Sequence, residues 1–308
     1  MTDKMMILIG GVFALLGLAS LIGFALSRSR PSETVTNLNA RIKAWWMMVA
    51  VFAVAFVVGK QLTIALFALT SFYCLREFLS ITPTRPEDHR AVAFAFYLFI
   101  PLQYWLIWDE WQTLFTILIP VWAFLLLPVL AVLKGETEDF MARTARIQWA
   151  LMLCVFCISH APALQILSIP GFEGRNLLLL FFLITVVQLS DVLQYVFGKL
   201  LGKRPVAPRV SPAKTWEGLI LGGLTAAAVG AGLWWITPFT PWQAALMALA
   251  IVVAGFFGGL VLSAVKRSLG AKDWGTMIEG HGGALDRMDS VCFAAPVFYH
   301  LTNYFFAS

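Results

Sequence analysis

Charge gathers late in this chain, between Ser263 and Asp289, beside segments that are otherwise apolar. Ser263, Lys266 and Arg267 stand at i, i+3 and i+4, which is one face of a helix. Asp286 and Asp289 stand three apart and can share a face of the next helix, with Arg287 between them. Lys272-Asp273 and Gly280-His281-Gly282-Gly283 fill the interval. Carboxylates that converge suit a hard cation such as Mg²⁺, which takes oxygen ligands. Lys266, Arg267 and Lys272 suit phosphate oxygens. Glycines let a backbone approach a ligand or turn with positive φ. The set reads as a metal-assisted phosphate site.

A second constellation precedes it. Asp191 stands inside an apolar run, where an acid costs about 2.5–3.5 kcal/mol on insertion scales and is functional by default. The segment Gly198 to Gly218 that follows is basic and carries Lys199, Lys203, Arg209, Ser211, Lys214 and Glu217. It has no Walker A pattern. Prolines at 205, 208 and 212 each fix φ and argue for a stiff loop. A stiff cationic loop suits a triphosphate better than it suits a mere linker, although an ordinary loop obeying the membrane charge rule is the plainer alternative.

These residues must be positioned by membrane helices. The chain has 308 residues, 60% of them hydrophobic and 13% charged, with a mean hydropathy of +0.81. Soluble domains carry about 25% charged residues. An all-α polytopic membrane protein with about 9–10 spans of near ~20 residues is expected. The spans fall near 5–27, 44–58, 62–79, 91–107, 114–133, 149–169, 176–197, 218–236, 242–265 and 289–306. The first is longer than the apolar core of a signal peptide and reads as a retained helix. With the N-terminus outside, every one of the 22 Lys and Arg except Lys4, Lys60 and Arg175 falls on the inner side. Both charged constellations then face the cytoplasm by the positive-inside rule. The division expected is residues 1–175 as N-terminal helices and 176–308 as a catalytic part with loops 198–217 and 264–289 on that side. The net charge of +5 is accounted for by those loops, so no nucleic-acid partner is expected. Cys154-Cys157 with His160 mimics a metal spacing, but with no second pair these side chains are expected to fill helix contacts.

The two constellations resemble the phosphatidate cytidylyltransferases (CDP-diacylglycerol synthases). That signature has Ser, then Lys-Arg, Lys-Asp, His-Gly-Gly and Asp-Arg-x-Asp. Here it reads Ser263, Lys266-Arg267, Lys272-Asp273, His281-Gly282-Gly283 and Asp286-Arg287-Met288-Asp289. The earlier block, Asp191, Tyr195, Gly198-Lys199, Gly202-Lys203, Pro208, Ser211-Pro212, Lys214-Thr215 and Glu217-Gly218, is similar as well. Two departures stand out. Val192-Leu193-Gln194 replaces small residues, and Gly258-Gly259-Leu260 replaces Gly-Asp-Leu, so one carboxylate is absent.

The resemblance implies transfer of a cytidylyl group from CTP to phosphatidate, giving CDP-diacylglycerol and pyrophosphate, at a bacterial inner membrane. Asp273, Asp286 and Asp289 are the expected metal ligands, with Asp191 completing the site or holding a second cation. Those three carboxylates and Lys266 form the expected catalytic set. Lys199, Lys203, Ser211, Lys214 and Glu217, together with Ser263, Arg267, Lys272, His281 and Arg287, are the expected substrate contacts. A homodimer is a further expectation. A related enzyme with another lipid phosphate as acceptor, a non-catalytic homologue and a transporter remain open beside it.

Overall fold

The computed structural model describes residues 3–29, 33–277 and 282–307. The chain is all-α apart from one short hairpin. Its helices are α1 (Asp3–Ser29), α2 (Glu33–Val58), α3 (Lys60–Ile81), α4 (Pro86–Trp108), α5 (Gln112–Val132), α6 (Phe140–Ile166), α7 (Leu177–Leu201), α8 (Gly218–Gly232), α9 (Pro241–Ser268) and α10 (Leu285–Phe306). Among the described residues, α1 to α7 and α9 are long and apolar enough to cross a bilayer. Helix α8 is shorter, and α10 carries Asp286, Arg287 and Asp289 in its first two turns. The protein is an integral membrane protein.

Local signals account for several helix ends. Gly59, at φ 106°, separates α2 from α3. Pro241 opens α9 where no N–H is needed, and the Thr240 N–H donates to Gln243 Oε1 at 2.9 Å. Helix α2 begins at Glu33, well before the apolar run expected from Ala44, because a helix can continue into the polar layer once its apolar part is anchored.

Helices α7, α8, α9 and α10 pack on one another. Helix α6 is the most enclosed, while α1 and α2 pack together and leave Leu15, Leu21, Val54 and Val57 facing outward. In a membrane those faces meet lipid rather than water. The polar termini are tied by ions. Arg143 and Asp88, both almost fully enclosed, pair at 3.1 Å and fix the start of α6 to the start of α4. At the opposite end Lys60 pairs with Glu110, and Lys4 donates to the Trp235 carbonyl at 2.6 Å.

The basic segment after α7 is more ordered than a loop. Strands β1 (Pro205–Ala207) and β2 (Ser211–Thr215) pair antiparallel, with Pro205 opposite Thr215 and Ala207 opposite Ser211. Pro208 sits at the second position of the turn, where its fixed φ is favourable, and the Val210 N–H closes the turn on the Ala207 carbonyl at 3.0 Å. The hairpin lies down on the end of α7 at Gly202. A Cβ there would stand 2.2 Å from the Gly198 carbonyl oxygen and 2.8 Å from Thr215 Cγ2.

Candidate active site

The site lies at the end of the bundle formed by the C-terminal ends of α3, α7 and α9, the hairpin and the start of α10. Asp191 on α7 accepts a hydrogen bond from the Ser290 hydroxyl at 3.0 Å. Asp289 on α10 accepts one from the Ser290 N–H at 2.7 Å. Ser290 therefore binds two carboxylates that are 98 positions apart in the chain. Among the described residues the second oxygen of each makes no hydrogen bond.

Lys214, at the base of β2, reaches into the same space. Its ammonium donates to the Phe256 carbonyl at 3.2 Å and stands 5.0 Å from the centre of the Phe256 ring. Burial pushes its pKa down, and the charges of Asp289 and Asp191 pull it back up. Gly259 leaves room for it, since a Cβ there would fall 2.5 Å from Lys214 Nζ and 3.7 Å from Asp289 Oδ2. At the position where a carboxylate is absent, the chain thus brings an ammonium against the remaining pair. Arg287 adds a further cation whose Nε is buried and has no partner among the described residues.

Asp286 is placed differently. Its Oδ1 accepts the Lys266 ammonium at 2.6 Å, both side chains being nearly enclosed. Its Oδ2 accepts the N–H groups of Trp274 and Gly283, each at 2.9 Å. These three hydrogen bonds join α9, the following loop and α10. Asp273 and Lys272 are exposed on that loop. The expected convergence of Asp273, Asp286 and Asp289 on one cation does not match this arrangement. Among the described residues no group of three or more His, Cys, Asp or Glu side chains could hold a metal. The reason is physical: Lys266 and two amides already occupy Asp286. Two facing carboxylates still fit Mg²⁺, which is commonly held by one or two carboxylates and otherwise by substrate phosphates and water.

The remaining expected contacts divide into groups. Lys199 is exposed at the end of α7, its ammonium 5.7 Å from the Tyr195 ring centre. With Lys203, Gly202 and Pro212 it lines a cleft of about 290 Å³ between α7 and the hairpin. Asp191, Tyr195 and Gly198 stand at i, i+4 and i+7, so the cleft begins roughly 6–10 Å along the helix from Asp191. Ser211 opens β2. Glu217 accepts the backbone N–H groups of Lys203 and Arg204 at 3.1 and 3.2 Å, and those bonds hold its carboxyl below the usual range. It braces the hairpin. Ser263 donates back to the Gly259 carbonyl at 2.6 Å. Arg267 is exposed and donates to the Ala271 carbonyl at 3.1 Å. His281 lies outside the described residues. The Cys154, Cys157 and Cys292 thiols are free, and His160 packs against Phe115, Phe156 and Tyr299.

Two residues were missed by sequence reasoning. Ser290 carries no signal beyond standing next to Asp289. Glu77 did carry one, since it is an acid in an apolar helix like Asp191, and the structure places it against the start of α10.

Such a fold and site define a polytopic membrane protein with an ionic centre where its bundle meets the polar layer. The chain belongs to the Cytidylyltransferase family, whose profile matches residues 39–305. It is 38% identical over 298 residues to the Uncharacterized protein YnbB of Escherichia coli (strain K12), covering 95% of this chain and 96% of that one. It is 43% identical over 120 residues to the Phosphatidate cytidylyltransferase of Mycobacterium leprae (strain TN), covering 38% of each chain. Over 139 residues it is 40% identical to the Phosphatidate cytidylyltransferase of Brucella abortus biovar 1 (strain 9-941), covering 44% of this chain and 51% of that one. The chain thus spans about half or less of the length of these two named enzymes.

Proposed function

We propose that this protein transfers a cytidylyl group from CTP to a lipid phosphate in the membrane, with phosphatidate as the first acceptor to test. One observation carries the reading: Asp191 and Asp289 meet across Ser290 with Lys214 beside them, at the end of the bundle that also holds the cleft of Lys199 and Lys203. Family membership supports the nucleotide chemistry, and an acceptor drawn from the bilayer is in keeping with the long apolar helices.

The reaction needs little covalent help from the protein. An ionised oxygen of the lipid phosphate attacks the α-phosphorus of CTP, a new P–O bond forms, and the bond to the bridging oxygen breaks to release pyrophosphate. The attacking oxygen is already ionised, so no general base is required. Catalysis is then positioning and charge stabilisation. Lys199 and Lys203 attract the triphosphate, the stiff hairpin holds it over the end of α7, and Lys214 and Arg287 face the charge that develops. Asp191 and Asp289 would hold Mg²⁺, which would supply positive charge against the phosphates. The charge asymmetry of the loops supports a site on the cytoplasmic side, where CTP is found.

The test uses purified protein in detergent, CTP labelled at the α-phosphate and a panel of lipid phosphates that includes phosphatidate. Label should move to at least one lipid, with Mg²⁺ required, and Asp289→Asn should cut the transfer by about 10²–10³-fold. Label transfer to no lipid, or full transfer by Asp289→Asn, overturns the proposal. The panel also decides the acceptor, because the likeness to the named phosphatidate enzymes covers less than half of this chain.

A further inference from the structure

Helix α3 ends against the site, and its Arg76-Glu77-Phe78 turn touches the loop after α9 at two places. Glu77 is buried. Its Oε1 accepts the Ala284 N–H and its Oε2 the Leu285 N–H, each at 2.9 Å, across more than 200 positions of sequence. Those amides belong to the first turn of α10, whose N–H groups have no partner within the helix and attract an anion. The loop backbone closes tightly on the carboxylate. A Cβ on Gly283 would stand 2.3 Å from Glu77 Oε2, and one on Gly275 would stand 2.8 Å from Oε1. Beside it, the Phe78 ring stacks on Trp274 with centres 4.9 Å apart and planes at 18°.

Both ends of the loop are therefore held by one turn of α3. Trp274, gripped by Phe78, gives its N–H to Asp286, and Gly283, pressed on Glu77, gives its N–H to the same oxygen. The first turn of α10 carries Asp286 and Arg287, and Asp289 follows within a turn. Any drift of that turn moves Asp289 relative to Asp191, which sits on α7.

We infer that Glu77 is a positioning residue: a resident anion that seats the N-terminus of α10 and so sets where Asp289 and Arg287 stand. Each Glu77 oxygen accepts a backbone N–H, so the role is mechanical rather than chemical. An amide cannot replace it, because the NH₂ of glutamine would face an N–H donor. The structural part of this inference stands by itself, and the catalytic part rests on the proposed cytidylyl transfer.

The experiment compares wild type, Glu77→Gln and Ala284→Pro in detergent. Ala284→Pro deletes one of the two donors and puts a ring carbon where its N–H met Glu77 Oε1, so it breaks the same contact from the α10 side, and the φ of −61° at Ala284 suits proline. Hydrogen–deuterium exchange should rise at residues 283–287 in both variants and stay unchanged in the middle of α9 and α10. In the transfer assay kcat should fall about 10- to 100-fold, the scale of a small misplacement, while KM for CTP changes little. Unchanged exchange at 283–287, or loosening spread through α9 and α10, overturns the positioning role. So does a rise in KM with kcat intact. If wild type transfers no label, the functional proposal fails, and the exchange pattern still decides the role of Glu77.

Discussion

Asp286 and Asp289 are one helical turn apart, yet the structure gives them different work. Asp289 faces Asp191 and keeps an oxygen without a hydrogen bond among the described residues, whereas Asp286 spends its oxygens on Lys266, Trp274 and Gly283. Their asparagine variants should therefore fail differently. Asp191→Asn and Asp289→Asn should each lower kcat by about 10²–10³, the scale of removing one preorganised electrostatic group. The double variant should lose little more than either single change, since both act on one centre. All three should keep the thermal stability of wild type. Asp286→Asn leaves the Lys266 ammonium enclosed without its counter-ion, which costs about 3–5 kcal/mol, so its melting temperature should drop together with its activity. Melting curves and kcat measured on the same four preparations check this, and a fully stable Asp286→Asn protein would argue against a structural role for that pair. The spacing of Asp286 and Asp289 shows in the sequence that both can share a face. It cannot show which one Lys266 reaches, because that depends on how α9 crosses α10.

The apolar helices are legible for a simple reason: each is a local run of side chains matched to the thickness of a bilayer. The expected spans near 62–79 and 242–265 fall inside α3 and α9, and that near 176–197 starts at the residue capping α7. What sequence leaves dark is pairing at a distance. The hairpin is expected only as a stiff loop, since three prolines that fix φ do not say that two short strands pair around Pro208. Glu217 reads as a nucleotide contact until its carboxylate is seen to accept the Lys203 and Arg204 amides. The contact of Glu77 with α10 is more distant still. At this scale the seat of the hairpin on α7 makes a prediction. In Gly202→Ala the new Cβ would meet the Gly198 carbonyl, a backbone atom that cannot swing away. The hairpin must lift, at a cost of about 1–3 kcal/mol for overpacking. It would open the cleft of Lys199 and Lys203 and carry Lys214 off the carboxylate pair. KM for CTP should rise several-fold with a smaller fall in kcat. Unchanged kinetics would mean that the cleft plays no part in holding the nucleotide.

On the scale of the whole molecule, charge and architecture agree. Among the described residues, the bundle end that holds the hairpin, the Asp88–Arg143 pair and the start of α10 carries most of the Lys and Arg. The other end keeps Lys60 bound to Glu110 and Lys4 bound to the Trp235 carbonyl. Moving an ionic site across a bilayer is prohibitively costly, so the side chosen at insertion decides which solution the site samples. The expected orientation has the N-terminus outside and the site inside. Cysteines placed singly at Glu173 and at Arg209 test it, since both positions are exposed and stand at opposite ends of α7. The four native cysteines are free and buried or half-buried, so the unmodified protein sets the labelling background. In intact cells, a maleimide that cannot cross membranes should label the cysteine at 173 and spare the one at 209. After permeabilisation both should react. Labelling at 209 in intact cells would put the carboxylate pair on the face without CTP and remove the ground for a cytidylyl transfer there.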